Sequence, residues 1–189
     1  MYNSDMNLFL KTSTFYFLLA GTIIMMVLML ITGKDLKTTA TPLGIIDLEL
    51  ASTKTAVQNI LKAWDNKVSE GKELIKKARV NTFLDFAFLI FYSLFLFACC
   101  KRLASSLSHK KKWQNILHCF AAMALLSGLL DVVENTGMLM SLSGHSSSNI
   151  ALMTAIAAYL KWCIVIATLL VIITAFSVKS MERKKIWNG

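Results

Sequence analysis

The stretch "LLDVVENTGML", residues 129–139, places two carboxylic acids and an amide in an otherwise apolar sequence. Asp131, Glu134 and Asn135 have the spacing i, i+3, i+4, so on a helix all three point from one face. Neighbouring carboxylates can attract a cation or an amine, share a proton, or coordinate a divalent metal ion. The chemistry that is open to this face therefore depends on its surroundings.

Composition indicates that the surroundings are a membrane. The chain has 189 residues, of which 56% are hydrophobic and 16% charged, and its mean hydropathy is +0.58. A helix needs about 20 apolar residues to cross the hydrocarbon layer, and lipid offers no partner for open backbone groups. We predict one domain, an all-α integral membrane bundle with four spans at about 12–33, 82–100, 114–136 and 157–178. Span one could instead be a cleaved signal peptide, although its apolar run is longer than is typical of one.

The distribution of basic residues predicts the orientation of the bundle. They produce a formal net charge of +9 but cluster at the ends of spans, which is not the pattern of a nucleic-acid-binding surface. Residues 101–113 hold five Lys/Arg, and the sequence after span four holds four. The positive-inside rule makes both regions cytoplasmic, and both termini with them, as in a bacterial inner membrane. Segment 34–80 would then be external. It reduces the difference in basic residues between the two sides of the membrane because it holds nine Lys/Arg, together with six acids.

Segment 34–80 is predicted to be a helical region outside the membrane. The alternation in "IIDLELA" favours a short extended stretch with Asp47 and Glu49 on one side. In "STKTAVQNILKAW", Ser52 or Thr53 could cap a helix whose apolar stripe ends at Trp64. This helix could lie in the lipid headgroup layer with Trp64 as an anchor, or it could cap the outer mouth of the bundle.

Charged side chains from three spans are predicted to share one level in the membrane. Counting ~1.5 Å per residue from the basic ends places Asp85 at ~23 Å, Asp131 and Lys161 at ~26 Å, and Glu134 at ~30 Å. Such groups usually face the bundle interior and pair, because each alone costs about 2.5–3.5 kcal/mol to insert. Three acids against one lysine leave a formal excess of two negative charges. Protonation, water, or a bound cation or amine must relieve that excess.

The same side chains could instead hold the helices in register and do nothing else. Contacts between Asp131 and Lys161 and between Asp85 and Asn135 would do so, at on the order of 0.6 kcal/mol per interhelical contact. Further hydrogen bonds could come from two tyrosines, Tyr92 and Tyr159. Close approach of neighbouring helices is favoured at two glycines of the third span, Gly128 and Gly137.

The other reactive residue types form no recognisable catalytic or metal-binding motif. The four cysteines include no C-x-x-C pair, and no two histidines are spaced i, i+4. The sequence also lacks the G-x-S-x-G, Walker and G-x-G-x-x-G patterns. We therefore expect no cofactor and no bound metal.

Three pieces of the sequence, "DLELA…ILKAW", "FLDFAFLIFYSLFL" and "LLDVVENTGML", resemble a group of bacterial four-span membrane proteins that carries no assigned activity. The resemblance covers about residues 43–140. It implies an external acidic-hydrophobic stretch, an L-D-F…Y helix and a D-x-x-E-N helix, and it picks out Glu49, Trp64, Asp85, Tyr92, Asp131, Glu134 and Asn135. In architecture alone, four helices with acids near one mouth, the chain is also similar to the sterol-isomerase and sigma-2-receptor superfamily.

These observations favour a binding or transport protein of the lipid bilayer. Its pocket, near the outer mouth, would hold a cation, an amine or a small lipid-like molecule, and its residues would be Asp85, Tyr92, Asp131, Glu134, Asn135 and Lys161. One alternative is a membrane enzyme acting on a lipid or isoprenoid, with Asp131 and Glu134 as acid and base or as metal ligands. Another is an accessory or assembly subunit that docks a partner through segment 34–80, where Glu49 and Trp64 lie.

Overall fold

A computed structural model describes residues 11–65 and 71–187, and every regular element in that part of the chain is a helix. The α-helices are α1 (Thr12–Gly33), α2 (Ile45–Glu49), α3 (Lys54–Asp65), α4 (Gly71–Ser106), α5 (Lys111–Leu142) and α6 (Ser148–Trp187), and a short 3-10 helix, Lys34–Leu36, follows α1. Within the described residues, α1, α4, α5 and α6 are long and apolar enough to cross a membrane. The prediction of an all-α bundle of four transmembrane helices is therefore confirmed, and the chain is a multi-pass membrane protein.

Helix α1 coincides with the predicted span one, whereas the other three long helices extend well beyond their predicted spans. α4 begins at Gly71, so the basic stretch before span two belongs to the same helix, and α6 already begins at Ser148. The physical reason lies in the sequence, because neither helix contains a glycine or proline after its first residue. Nothing therefore ends either helix where its apolar run ends.

The four long helices pack in chain order, α1 against α4, α4 against α5 and α5 against α6. α1 is the most peripheral of them, since only 6% of the residues in its most apolar stretch are buried inside the protein. α6 touches α4 far less than it touches α5. The bundle is therefore tight around α5 and looser between α1 and α6.

Glycines set the close packing of α5 on its neighbours, as the sequence predicted. A Cβ atom built on Gly128 would lie 3.0 Å from the Ser93 hydroxyl of α4. A Cβ atom on Gly137 would overlap the hydroxyl of Thr154 on α6. Gly137 therefore needs the absence of a side chain, and at Gly128 a Cβ atom would require Ser93 to shift by a few tenths of an ångström.

Segment 34–65 caps one end of the bundle. Trp64 is fully buried, and its indole N–H donates to the Leu36 carbonyl at 3.0 Å and to the Thr41 hydroxyl at 3.2 Å. Around it lies a hydrophobic cluster that joins this segment to three long helices and includes Leu48, Val57, Leu74, Met138 and Ala151. Trp64 is thus a core residue and not an anchor in the headgroup layer. We call this the capped end, and the end formed by the α4–α5 connection and the last turns of α6 the basic end.

The stretch "IIDLELA" is not extended, so that part of the sequence prediction is wrong. It forms α2 because Gly44, with φ of 71°, turns the chain immediately before the helix. The Asp47 carboxylate then accepts a hydrogen bond from the Leu43 N–H at 2.8 Å, which fixes that turn. In the helical form the neighbours Leu48 and Glu49 are both buried, one in the core and the other toward the bundle interior.

We expect Gly137→Ala to destabilise the bundle by about 1–3 kcal/mol, because the new methyl group must displace Thr154. Thr154→Ala in the same chain should recover most of the loss, since it removes the overlapping hydroxyl. Thr136→Ala, on the exposed side of the same helix, is the matched control. Unfolding in mixed detergent measures all three, and equal stability of Gly137→Ala and the control would contradict the packing.

Candidate functional site

The site is centred on the ammonium group of Lys161, which α6 carries into the bundle. Its Nζ lies 2.9 Å from the Asp131 carboxylate and 2.8 Å from the Glu134 carboxylate, both on α5. All three side chains are buried, with exposed fractions of 6%, 1% and 0%. Asp131 and Glu134 can bind the same amine because residues three apart lie on one helix face. These three groups, which were predicted to lie at one level in the membrane, are therefore in direct contact.

Asp85 brings a third carboxylate from α4. It is 4% exposed, and one of its carboxylate oxygens lies within 4.8 Å of oxygens from Asp131 and Glu134. Such a group of three could in principle hold a divalent cation. Lys161 Nζ already contacts two of the three acids, however, so a metal ion would have to displace it. The Lys161 ammonium thus occupies the position that a metal ion bound by these carboxylates would take.

Glu49 adds a fourth carboxylate, from the capping segment. Its Oε2 lies 4.0 Å from Lys161 Nζ, and the residue is 5% exposed. The sequence placed Glu49 in a region outside the membrane, with no link to the intramembrane acids. The short helix α2 instead inserts it between the long helices. Glu49, Asp85, Asp131 and Glu134 together with Lys161 are called the carboxylate cluster below.

Two neutral polar residues of the prediction adjoin the carboxylate cluster. Asn135 is fully buried beside Asp85, as the sequence predicted. Tyr92 is 7% exposed, and its ring packs against Phe88 with 5.1 Å between centroids. Within the described chain, neither the Tyr92 hydroxyl nor the Asn135 amide has a hydrogen bond of good geometry. Buried polar groups of this kind usually have a partner, so a ligand or water could satisfy them.

A cleft of about 510 Å³ opens beside the carboxylate cluster, and we call it the central cleft. Its inner wall includes Glu49, Asp85, Tyr92, Asp131 and Lys161. The remaining walls are mostly apolar and come from α1, α2, α4 and α6; they include Met26, Met29, Leu30, Ile45, Ile46, Phe88, Phe95, Trp162, Val165 and Leu169. Because the lining residues of α1 and α6 are partly exposed, the open side of the cleft lies between those two helices.

Not every residue singled out in the sequence reaches the site. Tyr159 was expected to add a hydrogen bond, but it is 55% exposed on the outside of α6. Trp64 lies in the core of the capping segment and supports the site only indirectly. Trp162, which the sequence analysis did not single out, lines the cleft, with its ring centroid 5.3 Å from Lys161 Nζ. The signal that could have found it was its position next to the buried lysine.

The charges of the cluster do not balance. Four carboxylates face one ammonium, a formal excess of three negative charges if every group is ionised. The sequence predicted an excess of two, because Glu49 was not counted. Glu49 belongs to α2, which is not one of the four membrane-spanning helices. The pKa of its carboxyl is raised above the ordinary 4.5, chiefly because burial disfavours the charged form and despite the attraction of Lys161.

We expect Lys161→Gln to destabilise the bundle by about 3–5 kcal/mol, because it leaves buried carboxylates without a counter-charge. Glu134→Gln should cost about 1 kcal/mol or less, since Lys161 keeps other acids beside it and the excess negative charge falls. Combining the two substitutions should recover part of the loss. Unfolding in mixed detergent measures these differences. Equal losses in the free energy of unfolding for the two single variants would contradict the excess of negative charge in the cluster.

The raised pKa of Glu49 predicts how docking of segment 34–65 depends on pH. An acid with a higher pKa in the folded state holds more protons there, so the free energy of unfolding falls as pH rises through the interval between the two values. Docking should therefore be tightest below about pH 4.5 and loosen as pH rises. Glu49→Gln should flatten this dependence, while Glu73→Gln, an exposed acid of α4, should leave it unchanged.

Hydrogen exchange of the amides in residues 45–65, corrected for the intrinsic effect of pH, gives the measurement. Asp85, Asp131, Glu134 and Lys161 surround Glu49, so the comparison with Glu49→Gln isolates the contribution of Glu49 itself. Exchange protection that rises with pH in the unsubstituted protein would overturn the assignment.

Comparisons with protein-family models, with curated proteins and with solved structures find no significant match to this chain. The resemblance described from the sequence therefore depends on its quoted motifs alone. What the protein does has to be argued from the carboxylate cluster and the central cleft.

Proposed function

We propose that the protein binds a small amphiphilic amine in the central cleft. The carboxylate cluster would hold the positively charged head, and the apolar walls between α1 and α6 would hold the body of the molecule. The observation that carries this proposal is the meeting of the two features. A largely apolar cleft of about 510 Å³ ends on three buried carboxylates, those of Glu49, Asp85 and Asp131, and on Lys161.

The excess of carboxylates supports a role beyond helix packing. One or two acids would be enough to compensate Lys161, and both Asp131 and Glu134 already contact it. Each further buried carboxylate is costly unless a proton or a cation neutralises it. Asp85 and Glu49 are further from the ammonium and adjoin the cleft. A ligand amine placed there would supply the missing positive charge.

The shape of the cleft supports an amphiphile over a bare inorganic cation. A hydrated ion gains nothing from apolar walls, whereas burying a methylene group contributes about 0.8 kcal/mol. The walls at Met29, Phe88 and Leu169 are of this kind. Phe88 and Tyr92 also present aromatic rings near the acids, and such rings attract ammonium groups.

The open side of the cleft supports entry from the lipid phase. Leu30 of α1 and Leu169 of α6 line the cleft and are 65% and 43% exposed. At the capped end, Ile45, Ile46 and Glu49 of α2 form a wall. A molecule dissolved in the bilayer could therefore reach the carboxylates without passing through water.

The distribution of charge supports the finer orientation that the sequence favoured. The basic end, with Lys110, Lys111 and Lys112, would face the cytoplasm of a bacterial cell, and the capped end would face outward. Both termini would then be cytoplasmic. The central cleft would lie toward the outer leaflet.

One alternative keeps a specific observation in its favour. Asp85, Asp131 and Glu134 lie close enough together to act as ligands of a divalent metal ion in an enzyme that modifies a lipid or isoprenoid. That reaction would require Lys161 to leave its two acids. Docking of a partner through segment 34–80 is supported less, because the apolar stripe of α3 already packs on the bundle.

Binding of radiolabelled dodecylamine to the protein in zwitterionic nanodiscs, with empty nanodiscs subtracted, tests the proposal. We expect saturable binding, with dodecanol as a competitor at least about tenfold weaker because it lacks the charge. Asp85→Asn and Asp131→Asn, which replace acids that line the cleft, should each weaken dodecylamine binding by about tenfold or more. Glu182→Gln, an acid of α6 paired with Lys110 at the opposite end, is the matched control and should bind as before.

Stability must be followed in the same samples. Melting temperatures of the two site variants should stay close to that of the control, since each removes only part of an excess. Equal affinity for dodecylamine and dodecanol would defeat the proposal. So would unchanged dodecylamine binding in both site variants.

A further inference from the structure

A second cavity lies at the basic end of the bundle, far along the helices from the carboxylate cluster. It is a groove of about 450 Å³ between α1, α4 and α6, and we call it the basic groove. Its lining consists of Phe15, Cys99, Arg102, Leu103, Ser105, Ser106, Ile172, Phe176 and Lys179. It shares no residue with the central cleft.

The polar part of the basic groove is cationic. Arg102 of α4 and Lys179 of α6 line it together with the hydroxyl groups of Ser105 and Ser106, and among the described residues no carboxylate lines it. The Lys179 ammonium donates to the Ser106 hydroxyl at 3.0 Å. Glu182, the next acid along α6, pairs with Lys110 and His109 instead. The Ser106 hydroxyl itself donates to the Arg102 carbonyl at 2.9 Å. A group that enters this groove therefore meets two cationic side chains and the Ser105 hydroxyl.

Arg102 is held in place by the first helix. Its guanidinium lies over the Phe15 ring, 4.8 Å from the centroid, and one of its N–H groups donates to the Lys11 carbonyl at 3.3 Å. A guanidinium ordered in this way loses little freedom when it binds an anion, and its fork of donors matches phosphate oxygens. The groove is therefore prepared for a phosphate-type group.

The rest of the basic groove is apolar and continues toward the lipid. Ile172 and Phe176 of α6 line it, with Phe15 of α1 across from them. Phe176 is 61% exposed on a helix that crosses the membrane, so this side faces acyl chains. A free phosphate ion would make no use of such a wall. A phospholipid, with an anionic head and two apolar chains, would use both parts.

We propose that the basic groove binds an anionic phospholipid of the surrounding leaflet. Its phosphate would lie between Arg102, Lys179 and Ser105, and its chains would run along Ile172 and Phe176. Basic pockets between transmembrane helices are the usual receptors for such headgroups, and negative lipids are concentrated on the side where basic loops lie. This site is independent of the amine proposed for the central cleft.

Native mass spectrometry of the protein in detergent, with equal amounts of phosphatidylglycerol and phosphatidylcholine that share the same chains, tests the proposal. We expect phosphatidylglycerol to be retained in large excess over phosphatidylcholine. Arg102→Gln and Lys179→Gln should each lower that preference by about fivefold, the contribution of one basic residue near an anionic surface. Lys111→Gln and Lys112→Gln, exposed lysines at the same end but outside the groove, should leave the preference unchanged.

Charge-conserving variants separate binding from folding. Arg102→Lys and Lys179→Arg should retain most of the preference, even if Arg102→Lys loosens the contact with Phe15. Glycerol phosphate at the same concentration should not displace the lipid, since it lacks the chains. Equal losses in groove and control variants, no preference in the unsubstituted protein, or displacement by glycerol phosphate would each overturn the proposal.

Discussion

The structure depends on one buried charge, the ammonium group of Lys161, and on the carboxylates that surround it. In an apolar interior this group is tolerated only with partners at close range, and α5 supplies them through Asp131 and Glu134. Asp85 ties α4 to the same place, and Glu49 ties in the capping segment. Separating any of these elements would leave a buried charge with fewer partners. The cluster therefore fixes the relative positions of four helices at once.

The loose packing of α1 explains why both cavities lie where they do. This helix rests mainly on α4 and buries little of its surface, so a gap remains between it and α6. The gap becomes the central cleft near the capped end and the basic groove near the basic end. Each takes its chemistry from the polar residues nearby, which are acids in one case and Arg102 and Lys179 in the other. One feature of packing thus creates two cavities whose polar linings carry opposite charge.

Local sequence patterns predicted the long helices and the level of the intramembrane charges. Apolar runs located the four spans, and counting residues along each helix brought Asp85, Asp131, Glu134 and Lys161 together. Such counting works because a helix has a fixed rise per residue. It could not find Glu49, whose position depends on the turn at Gly44 and on contacts with residues distant in sequence. Nor could it tell that Tyr159 faces outward, since that depends on the rotation of α6 against α5.

The capping segment strengthens the electrostatic attraction between the carboxylates and a cation because it shields the carboxylates from water. Leu48 and Trp64 anchor the segment in a hydrophobic core. Because Glu49 directly follows Leu48, the segment both covers the other acids and contributes a carboxylate of its own. Electrostatic attraction grows as water is excluded, and a cation inside such a shielded cluster is attracted far more than at the surface. A cap that excludes water from one side leaves the lipid-facing side, between α1 and α6, as the open approach. A cation that arrives by that route must bring an apolar body with it, and this is why the geometry favours an amphiphilic amine.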